Sequence, residues 1–183
     1  MNIIQTDVPG VLIFEPKVYG DDRGFFCETF QVARYTAAGV TGPFVQDNLS
    51  RSSKGTLRGL HFQEPQAQGK LVSALQGAVY DIAVDVRRGS PYFGKWVGVE
   101  LSDRNRRQLW VPPGFAHGFC VLTELADFFY KCTEYYAPEH EGVIAWNDPD
   151  LRIDWPVKTP LLSKKDAAAP RLKDAPVLPV FVP

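Results

Sequence analysis

Between Val79 and Val86 the chain alternates: Tyr80, Ile82, Val84 and Val86 take one set of positions, Val79, Asp81, Ala83 and Asp85 the other. A period of two sends successive side chains to opposite faces, so the spacing predicts a strand with unlike faces. Similar segments recur at Lys95 to Leu101, Arg107 to Val111, Phe115 to Leu122 and Ala126 to Glu134, closed by turn clusters such as GSPYFG and SDRN. One early stretch, Gln31 to Ala38, predicts a helix stopped by Gly39. Short strands from Val11 to Trp146 with helix only at the margins predict an all-β sandwich or barrel, a jelly roll first among them. After Trp155 the pattern breaks. Pro156, Pro160, Pro170, Pro176, Pro179 and Pro183 exclude a long helix or a central strand. The expectation is a proline-rich tail that wraps the barrel, with a short helix over Ser163 to Ala169 capped by Ser163.

Length and composition narrow this reading. A chain of 183 residues with 45% hydrophobic content fits one domain whose core needs no disulfide or structural metal. Its 15 glycines and 15 prolines agree with many turns. A formal net charge of -1 argues against gripping a nucleic-acid backbone or an anionic membrane, both of which need a basic excess. The segment MNIIQTDVPG lacks the pattern of a secretory signal, and no apolar run approaches the roughly 18 residues of a membrane span. Cys27, Cys120 and Cys132 are odd in number and scattered, which predicts reduced core thiols in a cytoplasmic protein.

Three clusters carry candidate chemistry. In FVQDNLSRS, Gln46, Asn48 and Ser50 alternate, so three hydrogen-bonding side chains share one strand face; a solvated outer face is an equally good reading. In KGTLRGLHFQ, Arg58 and His61 lie near Gly55 and Gly59, with Lys70 beyond a loop. Strict alternation puts Arg58 and His61 on opposite faces; they serve one pocket only if the strand kinks or bulges near Gly59. In WVPPGFAHGF, His117 follows a proline-glycine turn, and Tyr130 comes on the next strand. Two histidines in glycine-rich strands, one with basic neighbours, favour an anionic-ligand pocket. His140, among Glu139 and Glu141, reads as surface; Tyr130, Tyr135 and Tyr136 read, on their own, as core or barrel wall.

Pro112, Gly114 and His117 match the P-x-G-x-x-H pattern of the second cupin motif. Metal-binding cupins usually add an H-x-H pair and a carboxylate, whereas GLHFQ offers a single histidine. The sequence therefore reads as a metal-free cupin.

Together, FEPKVYGDDRGFFCETF, FVQDNLSRSSKGTLRGLHFQ, AQGKLV, FGKWVGVEL, RQLWVPPGFAHGF and LLSKKD resemble the dTDP-4-dehydrorhamnose 3,5-epimerases of bacterial deoxysugar biosynthesis. The match runs from about Ile3 to Asp166. Departures are Phe62, where the family often has tyrosine, and a single proline in EPQAQGK. The resemblance implies a single cupin domain over 1–183, with a core of about 3–166 and a tail of 167–183. It also implies a homodimer, no cofactor, and a dTDP-linked 4-keto-6-deoxyhexose substrate whose product feeds cell-surface polysaccharide. By resemblance His61 is the base, Asp166 its partner, Lys70 the stabiliser of charge on the C4 oxygen and Tyr130 the acid. Arg23, Glu28, Gln46, Asn48, Arg58, His117, Glu141 and one of Lys164 and Lys165 match binding positions, with Arg23 and Glu28 able to reach the neighbouring subunit. The alternatives are an epimerase acting at one carbon, a sugar-nucleotide 3,4-ketoisomerase, which the motifs fit less well, and a non-catalytic sugar-nucleotide-binding cupin.

Overall fold

The computed structural model describes residues 1–182, so Pro183 lies outside the described residues. The N-terminal part forms β1 (Asn2–Gln5), β2 (Leu12–Glu15), the hairpin β3 (Val18–Asp21) and β4 (Gly24–Cys27), and α1 (Val32–Ala38). Then follow β5 (Gln46–Ser53), β6 (Leu57–Gln63), β7 (Lys70–Gln76), β8 (Ala78–Asp85), β9 (Trp96–Ser102), β10 (Gln108–Val111), β11 (Phe115–Val121), β12 (Leu125–Cys132), β13 (Glu141–Val143) and α2 (Lys164–Ala167). These strands build a six-stranded sheet, ordered β1-β2-β10-β7-β12-β5, and a five-stranded sheet, ordered β13-β6-β11-β8-β9; β3 and β4 pair apart from both. All ladders are antiparallel, and the two large sheets close on each other as the expected jelly roll.

The predicted helix starts one residue late, because Gln31 is its cap: its side chain accepts from the Arg34 N–H at 2.8 Å. Gly39 ends it with φ +108°, a left-handed conformation that a side chain would resist. Tyr35 anchors the helix on the six-stranded sheet, its hydroxyl donating to Gln108 Oε1 at 2.6 Å.

Strand β8 has unlike faces, as expected, but both are covered. Val79 and Ala83 join Val72, Leu109, Phe119 and Phe128 between the sheets. Ile82, Val84 and Val86 face outward and are buried with Leu151, Trp155, Leu172, Ala175 and Leu178. The proline-rich tail thus supplies the cover of the five-stranded sheet. Burying Leu172 and Leu178 stabilises by about 2 kcal/mol each, which holds a segment that prolines deprive of ladder bonds. An isolated bridge between Arg88 and Val180 fixes its last turn. Cys120 and Cys132 are buried and Cys27 is half-buried, all three free.

One irregularity places the site. His117 pairs with His61 and Phe119 with Arg58, so a three-residue step on β6 opposes a two-residue step on β11. This is the bulge the sequence required near Gly59, and it turns Arg58 and His61 to the same side. Gly59 sits at φ +120° with the space of its missing Cβ only 2.5 Å from the Gly118 Cα, so only glycine fits.

Candidate active site

The inner face of the six-stranded sheet is a grid set by register. Across β7, β12 and β5, Lys70 aligns with Cys132 and Gln46, Val72 with Tyr130 and Asn48, and Ala74 with Phe128 and Ser50. Opposite them, the five-stranded sheet presents Arg58 beside Phe119, and His61 beside His117. Two adjoining cavities open between the faces, of about 720 Å³ and about 260 Å³. His61, Lys70, Tyr130 and Lys165 line both, so these side chains stand where the cavities meet.

Asp166 reaches this junction through the tail. Leu161 bonds back to the start of β6, with Leu57 N to Leu161 O at 3.0 Å and Leu161 N to Gly55 O at 2.9 Å. That contact leads α2 against β6, with Ser163 capping the helix as predicted. His61 Nε2 then lies 2.6 Å from Asp166 Oδ1, and Ser163 donates to Asp166 Oδ2 at 2.7 Å. Burial alone would raise the Asp166 carboxyl, but the hydrogen bonds from His61 and Ser163 outweigh it and hold the pKa below its ordinary value. An ionised carboxylate only accepts, so Nε2 carries the imidazole proton and Nδ1 keeps the lone pair. Glu141 Oε1 stands 3.9 Å from Nδ1.

Lys70 is half-buried and forms no salt bridge among the described residues. Burial lowers its pKa, opposed by Cys132, Glu141 and Asp81. Tyr130 goes the other way: burial, then the neighbouring Cys132, raise its phenol, so it holds its proton more firmly. A proton acceptor at His61, a held proton at Tyr130 and a cation at Lys70 therefore border one space. That set can remove a proton beside a carbonyl, return one, and stabilise the charge between the two steps.

The remaining candidates divide. Arg58 is exposed, its fork held by Ser52 Oγ at 3.1 and 3.0 Å. His117 lines the larger cavity, stacked on Phe128 with ring centroids 5.9 Å apart. Gln46 and Asn48 line the smaller one and bond to each other at 3.0 Å. Lys165 pairs with Glu141 at 2.6 Å, while Lys164 lines the larger cavity. Arg23 and Glu28 are not brought to the site within this chain: Arg23 sits beyond the tip of β3, 90% exposed and paired with Asp21, and Glu28 pairs with Arg34. His140 bonds Gln66 at 2.8 Å and lines neither cavity, in keeping with its surface reading.

Tyr135 and Tyr136 are not core; they are 63% and 51% exposed, because the chain leaves the sheet at Cys132. The Tyr136 hydroxyl donates to Glu141 at 3.2 Å. Asp81 is a further residue of the site that the motifs do not single out. Its carboxylate, fully buried, holds His117 Nε2 with both oxygens at 3.0 Å. Burial pushes the Asp81 carboxyl up, against His117 and Lys70. The signal was an aspartate in the middle of a strand with apolar residues on both sides of it, which is rare without a partner.

The comparisons with known proteins agree with one another. A family profile described as dTDP-4-dehydrorhamnose 3,5-epimerase matches residues 5–174. A dTDP-4-dehydrorhamnose 3,5-epimerase of Pseudomonas aeruginosa is 57% identical over 181 residues, covering 98% of this chain and 100% of the relative. The crystal structure of a dTDP-6-deoxy-D-glucose-3,5-epimerase from Legionella pneumophila, in complex with dTDP-4-keto-L-rhamnose, superposes with a TM-score of 0.96 at 59% identity, covering 100% of this chain and 99% of that one. ChmJ, a 3'-monoepimerase from Streptomyces bikiniensis solved with dTDP-quinovose, superposes with a TM-score of 0.87 at 37% identity, covering 92% of this chain and 86% of its own. The chain, a cupin-type jelly roll, belongs to the dTDP-4-dehydrorhamnose 3,5-epimerase family.

Proposed function

We propose that this protein is an isomerase that converts dTDP-4-dehydro-6-deoxy-D-glucose to dTDP-4-dehydro-L-rhamnose by inverting C3 and C5. The observation that carries the reading is the 2.6 Å His61–Asp166 pair at a junction shared with Lys70 and Tyr130. A ketone at C4 acidifies the hydrogens on C3 and C5. His61 Nδ1 takes one of these protons, the electron pair moves onto the C4 oxygen as an enolate, and the Lys70 ammonium stabilises that charge. Tyr130 gives a proton to the opposite face of the same carbon. Each inversion thus moves one proton to His61 and one from Tyr130, and exchange with solvent resets the pair. Asp166 fixes the tautomer and steadies the imidazolium, the role its counterpart plays in a serine-protease triad. Arg58, Lys164 and His117 hold the diphosphate side, and Gln46, Asn48, Glu141 and Lys165 border the other.

Solvent exchange makes the test direct. Turnover of the 4-keto-6-deoxyglucose nucleotide in deuterated water, followed by NMR, is expected to place deuterium at both C3 and C5 with both centres inverted. Label at C3 alone would move the protein to a single-carbon activity like that of the 3'-monoepimerase ChmJ. Ligand binding without any label would leave only a sugar-nucleotide-binding cupin.

The site is completed, in our reading, by a second copy of the chain. The β3–β4 hairpin exposes Tyr19, Phe25 and Phe26, by 55%, 56% and 68%, beside Arg23. Apolar surface of that extent is what a partner covers, and such pairing would deliver Arg23 and Glu28 to the neighbour's cavity. Sedimentation velocity is expected to show a dimer; a monomer at micromolar concentration would overturn the pairing. No helix among the described residues is long and apolar enough to cross a membrane. The three free cysteines support a reducing cytoplasmic setting.

A further inference from the structure

Among the described residues one buried side-chain oxygen or nitrogen has no hydrogen-bond partner: Ser50 Oγ. Buried hydroxyls are ordinarily satisfied, so an orphan at the wall of a cavity asks what satisfies it in use. Ser50 lines the larger cavity and does not line the smaller one. Its neighbour two residues along the same strand face, Ser52, has its partner already, receiving two bonds from Arg58. The two serines lie on the same face of β5, yet only Ser52 has a partner within the protein.

Register says what stands near Ser50. On the six-stranded sheet it lies beside Phe128, two positions away from the Asn48–Tyr130 row, in the direction away from Gln46. On the facing sheet Arg58 is displaced from His61 in the direction away from Gln63, the β6 partner of Glu141. The cavity is therefore polarised: Glu141 and Gln46 border its smaller end, whereas Arg58, Lys164 and Ser50 border only its larger one. An anionic group avoids the carboxylate end and settles by the guanidinium. Its oxygens accept and do not donate, and a hydroxyl with a free proton matches them.

We propose that the Ser50 hydroxyl donates to a phosphoryl oxygen of the substrate's diphosphate, next to the Arg58 fork, and so is a substrate-positioning residue. This rests on the sugar-nucleotide reading of the same cavity. The bond would be made equally in the ground and transition states, because the diphosphate charge does not change while protons move at C3 and C5. Its loss is therefore expected in KM rather than kcat.

The test is Ser50→Ala, which removes the hydroxyl and little volume and leaves no orphan behind. Its Tm is expected to equal or exceed that of the wild type. Affinity for dTDP, measured by calorimetry, should fall about ten- to hundredfold, with KM rising by the same factor and kcat little changed. Thymidine, which has no phosphate, should bind both proteins alike in an NMR titration. Unchanged dTDP affinity in Ser50→Ala, with wild type binding normally, overturns the assignment. An equal loss for dTDP and thymidine overturns it too, since the hydroxyl would then merely support the wall. Wild-type protein that binds no dTDP overturns the sugar-nucleotide reading itself, and this assignment with it.

Discussion

His61→Ala is expected to lower kcat by on the order of a thousandfold while the protein stays folded and still binds dTDP. The expectation follows from how few groups at the junction can accept a proton. Lys70 offers none while it is charged, Tyr130 holds its own, and Lys165 is occupied by Glu141. Glu141, 3.9 Å from His61 Nδ1, is already tied to Lys165 and Tyr136. Asp166→Asn is expected to follow in the same direction, because an amide can present its N–H to Nε2 and so turn the imidazole to the wrong tautomer. Stability supplies a second readout. The Asp166 pKa lies below its unfolded value, so its contribution is complete above about pH 4 and is lost as pH falls through the folded value. Without the His61 hydrogen bond that folded value moves up toward the unfolded one, so the part of the Tm loss on acidification that Asp166 contributes should shrink. Near-normal kcat in His61→Ala would remove the base assignment, whatever the stability profile shows.

That dyad also shows what could be read from the sequence and what could not. His61 and Asp166 are 105 residues apart, so no periodicity links them; only the LLSKKD segment, as part of a family resemblance, suggested the pairing. The physical link is the return of Leu161 to the start of β6, two backbone bonds that leave no trace in composition. The bulge at Gly59 was legible in part: a three-residue step between two polar side chains, with a glycine inside it, is a pattern that a regular strand cannot serve. The longer central strands were legible because seven or eight residues are enough to show a period of two. The four-residue strands β1 to β4 were not, since so few positions, largely exposed in β1, β3 and β4, carry no clear period. Prolines correctly excluded a long helix or a central strand from the tail, but they say nothing of burial, and Leu172, Ala175 and Leu178 close the outer core. The Arg23 and Glu28 positions were legible only by resemblance, and a single chain leaves them far out on the surface.

Lys70→Met is expected to lose activity and gain stability at once. The ammonium sits on the inner face in the same row as Cys132 and Gln46, without a salt bridge among the described residues, and burial depresses its pKa. A fold that depresses a lysine bears the cost of holding it charged. That cost is complete below the folded pKa, fades as pH rises through it, and is gone above the unfolded value of about 10.4. Methionine has a similar length, packs in the same space and carries no charge. The variant should therefore melt above wild type at neutral pH, and the difference should shrink toward pH 10 and beyond. Activity moves oppositely. With no cation at the C4 oxygen, the enolate loses its stabilisation, and kcat should fall by about 10²–10³. The two effects share one cause, since the desolvation that burdens the resting protein also strengthens the lysine's attraction for a developing oxyanion. A Lys70→Met protein that retains kcat would place the oxyanion elsewhere, and one that melts below wild type at pH 7 would mean that Glu141 and Asp81 more than offset the burial.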